Sequence, residues 1–198
     1  MLSTSLLEAT AFVTSILGVW LTTARSLWNY PFSLLSVALY GAIFYQAKLY
    51  ADMSLQGIFA VALFYGLWQW LRGRNANGDI LITHVRAGEA MVSIVAGLLM
   101  VGSLGFLLDA HTDASLPWVD SSLFAVSLLA SVWAARRNIE SWLMWITVDV
   151  FYIGLYAFKH LYLTALLYAV FVVLAVFGMR QWQTALDRQS NENTGLHQ

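Results

Sequence analysis

The chain has 198 residues, 60% of them hydrophobic and 11% charged, where an ordinary soluble domain holds roughly 45–50% and about 25%. That balance excludes a water-soluble globule. Lys and Arg number 10 against 11 Asp and Glu, a net charge of -1, and the charges stand singly between long apolar runs, so no basic patch is offered to a nucleic acid. The absence of cysteine excludes disulfides, thiolate chemistry and Cys-ligated metals, while His84, His111, His160 and His197 are scattered outside the apolar cores. A haem or metal centre lacks its usual ligands, and no cofactor is expected.

A bilayer core about 30 Å thick needs roughly 17–25 mainly apolar residues per helix, and seven stretches meet that length. The first, 7–24, has no Lys or Arg before Arg25; it lacks the charged region of a signal peptide and is expected to stay in the mature protein. The second, 31–48, is opened by Pro31, and the third covers 52–71. The polar segment RGRNANGDILITHVRA at 72–87 reads as extramembrane, and the fourth span follows at 88–108. After a short acidic loop from Asp109 to Asp113 come 119–135, preceded by Pro117, then 142–158 and 162–180, with a polar tail beyond Gln181. Both prolines precede or open spans, where a missing N–H costs little. The expected fold is an all-α membrane protein of seven transmembrane helices.

Alternating sides along these spans place Arg25, Arg72, Arg74, Arg86, Arg136, Arg137, Arg180 and Arg188 together, with Lys48 and Lys159 opposite. By the positive-inside rule the arginine side is cytoplasmic, with the N-terminus outside and the C-terminus inside. Trp20, Trp28, Trp68, Trp70, Trp118, Trp133 and Trp182 fall at span ends, where an amphipathic ring anchors at headgroup level.

Residues 142–182 align without gaps onto 30–70, a shift of 112. Tyr40 falls on Tyr152, Leu49 and Tyr50 on Leu161 and Tyr162, Gly66 on Gly178 and Trp70 on Trp182. Upstream the frame slips slightly, with VWLTTAR at 19–25 resembling VWAARR at 132–137. Spans one to three therefore repeat as spans five to seven, and the single linker helix makes the two triplets parallel. The organisation is a first repeat at 1–71, a loop, linker helix and outer loop at 72–118, a second repeat at 119–182 and a tail at 183–198. Parallel repeats related by an axis along the membrane normal are a transporter architecture, with the substrate at the repeat interface.

One ionisable residue lies deep within a span. Asp149 is about seven residues into the sixth, roughly 10 Å below its end. A carboxylate there costs about 2.5–3.5 kcal/mol on insertion scales, so it should meet a wet cavity or a partner. Trp142, Trp145, Asp149, Tyr152 and Tyr156 recur at helical spacing on one face. Aromatic walls beside a negative charge suit a planar cation, through stacking, cation–π attraction and ion pairing. The equivalent face of the second span carries Tyr30, Ser33, Val37, Tyr40 and Phe44, aromatic but uncharged. Asp120, Phe124, Ser127 and Ser131 form a semi-polar face on the fifth span; Asp120 suits a helix N-terminal charge as well as a substrate contact. Gln56 and its repeat partner Tyr168 are polar groups at matching depth, suited to interhelical hydrogen bonds as much as to a ligand.

The segment WNYPFSLLSVALYGAIFYQAKLYADMSLQ with YGLWQW, and ESWLMWITVDVFYIGLYAFKHLYLTALLY with FGMRQW, resemble the PnuC vitamin transporters over nearly the whole chain. The WxxW at Trp142 and Trp145 is the most specific piece. The resemblance implies a 3+1+3 helix arrangement similar to the SWEET sugar transporters. It also implies facilitated diffusion of nicotinamide riboside, thiamine or riboflavin across the bacterial inner membrane, with phosphorylation trapping the vitamin afterwards, and in some members a homotrimer. Two positions depart from the pattern: Asp149 stands where a nicotinamide riboside carrier is expected to have Asn, and Ser33 where Gly is common. An acid suits the pyridinium of nicotinamide riboside or the thiazolium of thiamine better than uncharged riboflavin. An intramembrane enzyme would need a second acid, base or nucleophile at depth, and a receptor gains nothing from two pseudo-symmetric halves.

Overall fold

The computed structural model describes residues 4–46, 50–74, 79–112, 116–158, 160 and 162–195; Lys48, Lys159 and Asp113 lie outside them. It is all-helical: α1 Thr4–Thr23, α2 Asn29–Gln46, α3 Tyr50–Arg72, α4 Ala87–His111, α5 Pro117–Ala135, α6 Ser141–Phe158 and α7 Tyr162–Gly195. By length and composition α1, α4, α5, α6 and α7 can cross a membrane. Asn29, two Ser and three Tyr in α2, and Asp52, Gln56 and Gln69 in α3, dilute the hydropathy of the other two. The polar residues after Gln181, expected as a tail, continue α7 to Gly195.

The helices close a ring. α1 packs on α2, α2 on α3, α3 on α5, α5 on α6, α6 on α7, and α7 back on α1, while among the described residues α4 packs on α5 alone. Its outward residues Val92, Leu98 and Leu99 are about 70% exposed, a continuous apolar face that only hydrocarbon satisfies at no cost. Glycines set the close seams: a Cβ at Gly105 would meet the Trp118 ring of α5 at 2.6 Å, and one at Gly18 would run into Ser33 Oγ of α2.

Two turns make the same bonds 112 residues apart. Arg25 N–H donates to Thr22 O and Arg137 N–H to Ala134 O, each at 3.0 Å; Ser26 N–H reaches Leu21 O at 3.0 Å and Asn138 N–H reaches Trp133 O at 2.9 Å. Both arginines adopt left-handed backbone, φ 55 and 67, a conformation that ends a helix abruptly. The frame slip read upstream, Val19-Trp20 against Val132-Trp133, therefore does not reach the turns.

The core sits at the arginine-bearing end, where Tyr30, Trp70, Trp142 and Trp182 cluster with Ile80, Ile82, Ile139 and Ala185. Trp20, Trp68 and Trp118 are about half exposed and Trp28 more so, as headgroup anchors would be, whereas Trp70 and Trp182 are 1% and 0% exposed. For those two the anchoring expectation is corrected. A glycine one turn before each, Gly66 and Gly178, makes room for the ring of the preceding helix to fold inward: a Cβ would come within 2.9 Å of Tyr30 Oη and 2.7 Å of the Trp142 ring.

Before α4 the described residues 79–86 are tied to the second triplet's turn. Thr83 N–H donates to Arg137 O at 3.1 Å and Ile139 N–H to Thr83 O at 3.0 Å. Glu140 closes the segment's end, accepting from Val85 N–H at 3.0 Å while its second oxygen lies 2.7 Å from His84 Nδ1.

Candidate functional site

α6, central in its triplet between α5 and α7, carries the aromatic and acidic stripe from one end of the ring toward the other. Trp142, 4% exposed, stands edge-on to Trp182 at 5.3 Å between ring centroids, and its indole N–H has no hydrogen-bond partner among the described residues. Trp145 is half-buried and packs against the same cluster. One turn further, Asp149 is 3% exposed and is the one buried Asp, Glu, Lys, Arg or His among the described residues. No hydrogen bond or ion pair of its carboxylate occurs among them. Beyond it Tyr152, Tyr156 and Tyr168 form a three-ring group, Tyr152 to Tyr168 at 4.7 Å and Tyr156 to Tyr168 at 5.4 Å. Asp149 thus lies between a tryptophan cluster and a tyrosine cluster, within electrostatic range of Tyr152 and Tyr168.

The other expected residues divide. Ser127 of α5, buried, is within hydrogen-bonding reach of Tyr152, and Asp120 is in electrostatic range of the same hydroxyl, so the semi-polar face of α5 does turn toward the stripe. On the first triplet, Tyr40 stacks on Phe44 at 6.1 Å and Ser33 lies against Gly18 in the α1–α2 seam. Gln56 lines a groove of about 440 Å³ between α2 and α3, with Leu34, Val37, Gly41 and Phe64, so Gln56 and its partner Tyr168 stand in different surroundings.

Glu8 was not singled out from the sequence. It lies in electrostatic range of Tyr40 as Asp120 does of Tyr152, and the shift of 112 carries Glu8 onto Asp120 and Tyr40 onto Tyr152. Extending the repeat alignment upstream would have found it. A polar cleft of about 350 Å³ opens at the arginine end, lined by Tyr65, Gln69, Thr83, Glu89, Arg136 and Asn138 among others. There Arg136 Nε donates to Tyr65 Oη at 3.1 Å and its Nη1 pairs with Glu89 at 3.4 Å, and the bond to Tyr65 holds the guanidinium's pKa above its ordinary value.

The family described as Nicotinamide mononucleotide transporter matches residues 5–184. The Nicotinamide riboside transporter PnuC of Escherichia coli is 26% identical over 204 residues, covering 90% of this chain and 85% of that protein. PnuC of Neisseria mucosa is 30% identical, covering 95% and 76%. The Riboflavin/roseoflavin transporter RibM of Streptomyces davaonensis is 28% identical, covering 84% and 79%. The crystal structure of the Vitamin B3 transporter PnuC superposes with a TM-score of 0.75 at 27% identity, covering 93% of this chain and 83% of that one.

Proposed function

We propose that this chain, which belongs to the nicotinamide mononucleotide transporter family, is a facilitated-diffusion carrier that imports a cationic vitamin or vitamin precursor, nicotinamide riboside first, across the bacterial inner membrane. The observation that carries the reading is Asp149, a buried carboxylate without a partner among the described residues, between two aromatic clusters. A cation stacked there would supply the missing counter-charge. The same carboxylate argues for a nucleoside over a mononucleotide, because a phosphate beside it would be repelled and no buried Lys or Arg among the described residues would hold it. The relatives named above are transporters for nicotinamide riboside or riboflavin, which supports a vitamin carrier and not an enzyme. Thiamine is the second reading, favoured by the acid standing where Asn is expected in a riboside carrier. Ligand-induced melting shifts separate the two: nicotinamide riboside is expected to raise the melting temperature more than thiamine, and the reverse order would reassign the substrate.

The ring of helices supports two parallel triplets, α1–α3 and α5–α7, in a seven-span, SWEET-like 3+1+3 plan with α4 as linker. Each seam in one half has its counterpart in the other, α3 on α5 matching α7 on α1. In this plan the stripe of Trp142, Trp145, Asp149 and Tyr152 forms one side of the substrate site, with Tyr168 and Asp120 beside it and Tyr40 contributed by the first triplet, while Gln56 borders its own groove and Ser33 the α1–α2 seam. The resemblance also implies a homotrimer, expected as a mass of about three chains by light scattering on the solubilised protein.

Two expectations follow. With the arginines inside, a tag after Gln198 should be protected in intact cells and reached once they are opened; labelling from outside would invert the topology. Uptake should also equilibrate without concentrating the substrate, because among the described residues no second buried acid, Lys, Arg or His marks a path for a coupling ion. Accumulation in liposomes under an imposed proton or sodium gradient would overturn that.

A further inference from the structure

We infer that Trp70 and Trp182 form a paired lock that holds the two triplets together at the arginine end, and that its release is the step that opens this end of the carrier. The inference rests on the transport reading above, since only a carrier needs the two halves to part.

The triplets meet along two seams, α3 with α5 and α7 with α1, and each seam is crossed by one indole hydrogen bond. Trp70 Nε1 on α3 donates to Ala134 O on α5 at 3.1 Å; Trp182 Nε1 on α7 donates to Thr22 O on α1 at 3.2 Å. The two donors are 112 residues apart, and so are the two acceptors. Each acceptor is a carbonyl in the last turn of its helix that also accepts the backbone N–H of the arginine three residues on, so the turn and the indole share it. Between the seams the two indoles touch, centroids 5.9 Å apart, and each is braced edge-on by the first-turn aromatic of the neighbouring helix, Tyr30 on Trp70 at 5.5 Å and Trp142 on Trp182 at 5.3 Å. Rocking the triplets apart at this end must break both bonds and separate the pair.

The segment between α3 and α4 caps the lock. Ile80 and Ile82 bury their side chains in the same cluster, and a side-chain amide on α7, Gln189, in the orientation that satisfies both groups, pairs with the backbone N–H and C=O of Ile82 at 3.2 Å each. The segment's own backbone bonds run to the second triplet's turn through Thr83, while toward the first triplet's turn it has a longer contact, Arg25 Nη1 to Ile80 O at 3.5 Å. The cap would travel with the second triplet when the lock opens.

The chain has no cysteine, so single introduced thiols report without background. Leu67→Cys, which packs against the tryptophan cluster, reports access from the arginine end, and Phe124→Cys, one turn inward from Asp120, reports the other end. In the purified full chain, Trp70→Phe and Trp182→Phe keep a ring and remove the donor. Each is expected to speed maleimide labelling at Leu67→Cys by about 3- to 10-fold, the share of one hydrogen bond in an opening equilibrium, while labelling at Phe124→Cys slows or stays unchanged. Trp182→His, which keeps a ring N–H, should restore part of the protection. Unchanged labelling at Leu67→Cys, or faster labelling at both ends as in general loosening, would overturn the lock. Should the Phe variants fail to fold, Ile82→Ala, which thins the cap, must give the same one-sided increase or the inference fails. Failure of the transport reading is separate: it appears as no uptake by the unmodified protein, whatever the labelling shows.

Discussion

Asp149→Asn is expected to weaken binding of the cationic vitamin by roughly 10- to 150-fold, the worth of a charged hydrogen bond of about 1.5–3 kcal/mol, in a protein that still folds. The residue has no partner among the described residues, so removing its charge breaks no bond of the resting protein, and the whole loss falls on the bound state. A neutral isostere of the ligand should bind wild type poorly and the variant about equally. The tryptophans beside the acid should behave differently from one another. Trp145, half-buried, is free to present a face to the ligand, so Trp145→Ala should cost affinity with little change in stability. Trp142 is enclosed by Trp182 and by the bare backbone of Gly178, so Trp142→Ala should cost stability as well. Titration calorimetry with parallel melting curves checks all three; undiminished cation affinity in a folded Asp149→Asn protein would make the aspartate a structural group.

Trp182→Ala should cost about 3–5 kcal/mol of stability, at the top of the range for core truncations. The side chain is fully buried, touches both Trp70 and Trp142, and donates to Thr22 O. In a bilayer little hydrophobic drive holds helices together, so tight contacts and interhelical hydrogen bonds carry the association. Truncating Trp182 removes both at the α1–α7 seam. Gly178→Ala should be a milder version, since its Cβ would lie 2.7 Å from the Trp142 ring and overpacking costs about 1–3 kcal/mol. Equilibrium unfolding in mixed micelles measures each, and a Trp182→Ala loss under about 1 kcal/mol would show the cluster to be loosely packed.

Helix positions were legible because length and apolarity alone mark a membrane helix. The shift of 112 was legible because small and bulky residues recur together at the seams, Gly66 with Trp70 and Gly178 with Trp182. What periodicity could not convey is which way a tryptophan at a helix end turns. Trp68 and Trp70 are two residues apart, yet one is half exposed and the other buried, and only Gly66 with the ring of Tyr30 decides between them. The same limit hid the buried residues before α4: Ile80 and Ile82 sit in a polar run, and alternation over so few residues is too short to announce a buried edge. Polarity also misled at the C-terminus, because α7 beyond Trp182 is polar on average while Ala185 and Leu186 still face the cluster. On the site, the helical face of α6 was read from spacing, but its neighbours needed coordinates. Ser127 and Asp120 belong to the stripe's surroundings, whereas Gln56 borders a separate groove.

Uptake of radiolabelled nicotinamide riboside into proteoliposomes of the purified protein, with no ion gradient and no ATP, tests the central claim most directly. The expected result is protein-dependent entry that stops when inside and outside concentrations are equal, runs outward as readily when the gradient is reversed, and is slowed by Asp149→Asn at low substrate. Entry no faster than in empty liposomes, for nicotinamide riboside and thiamine alike, would contradict it.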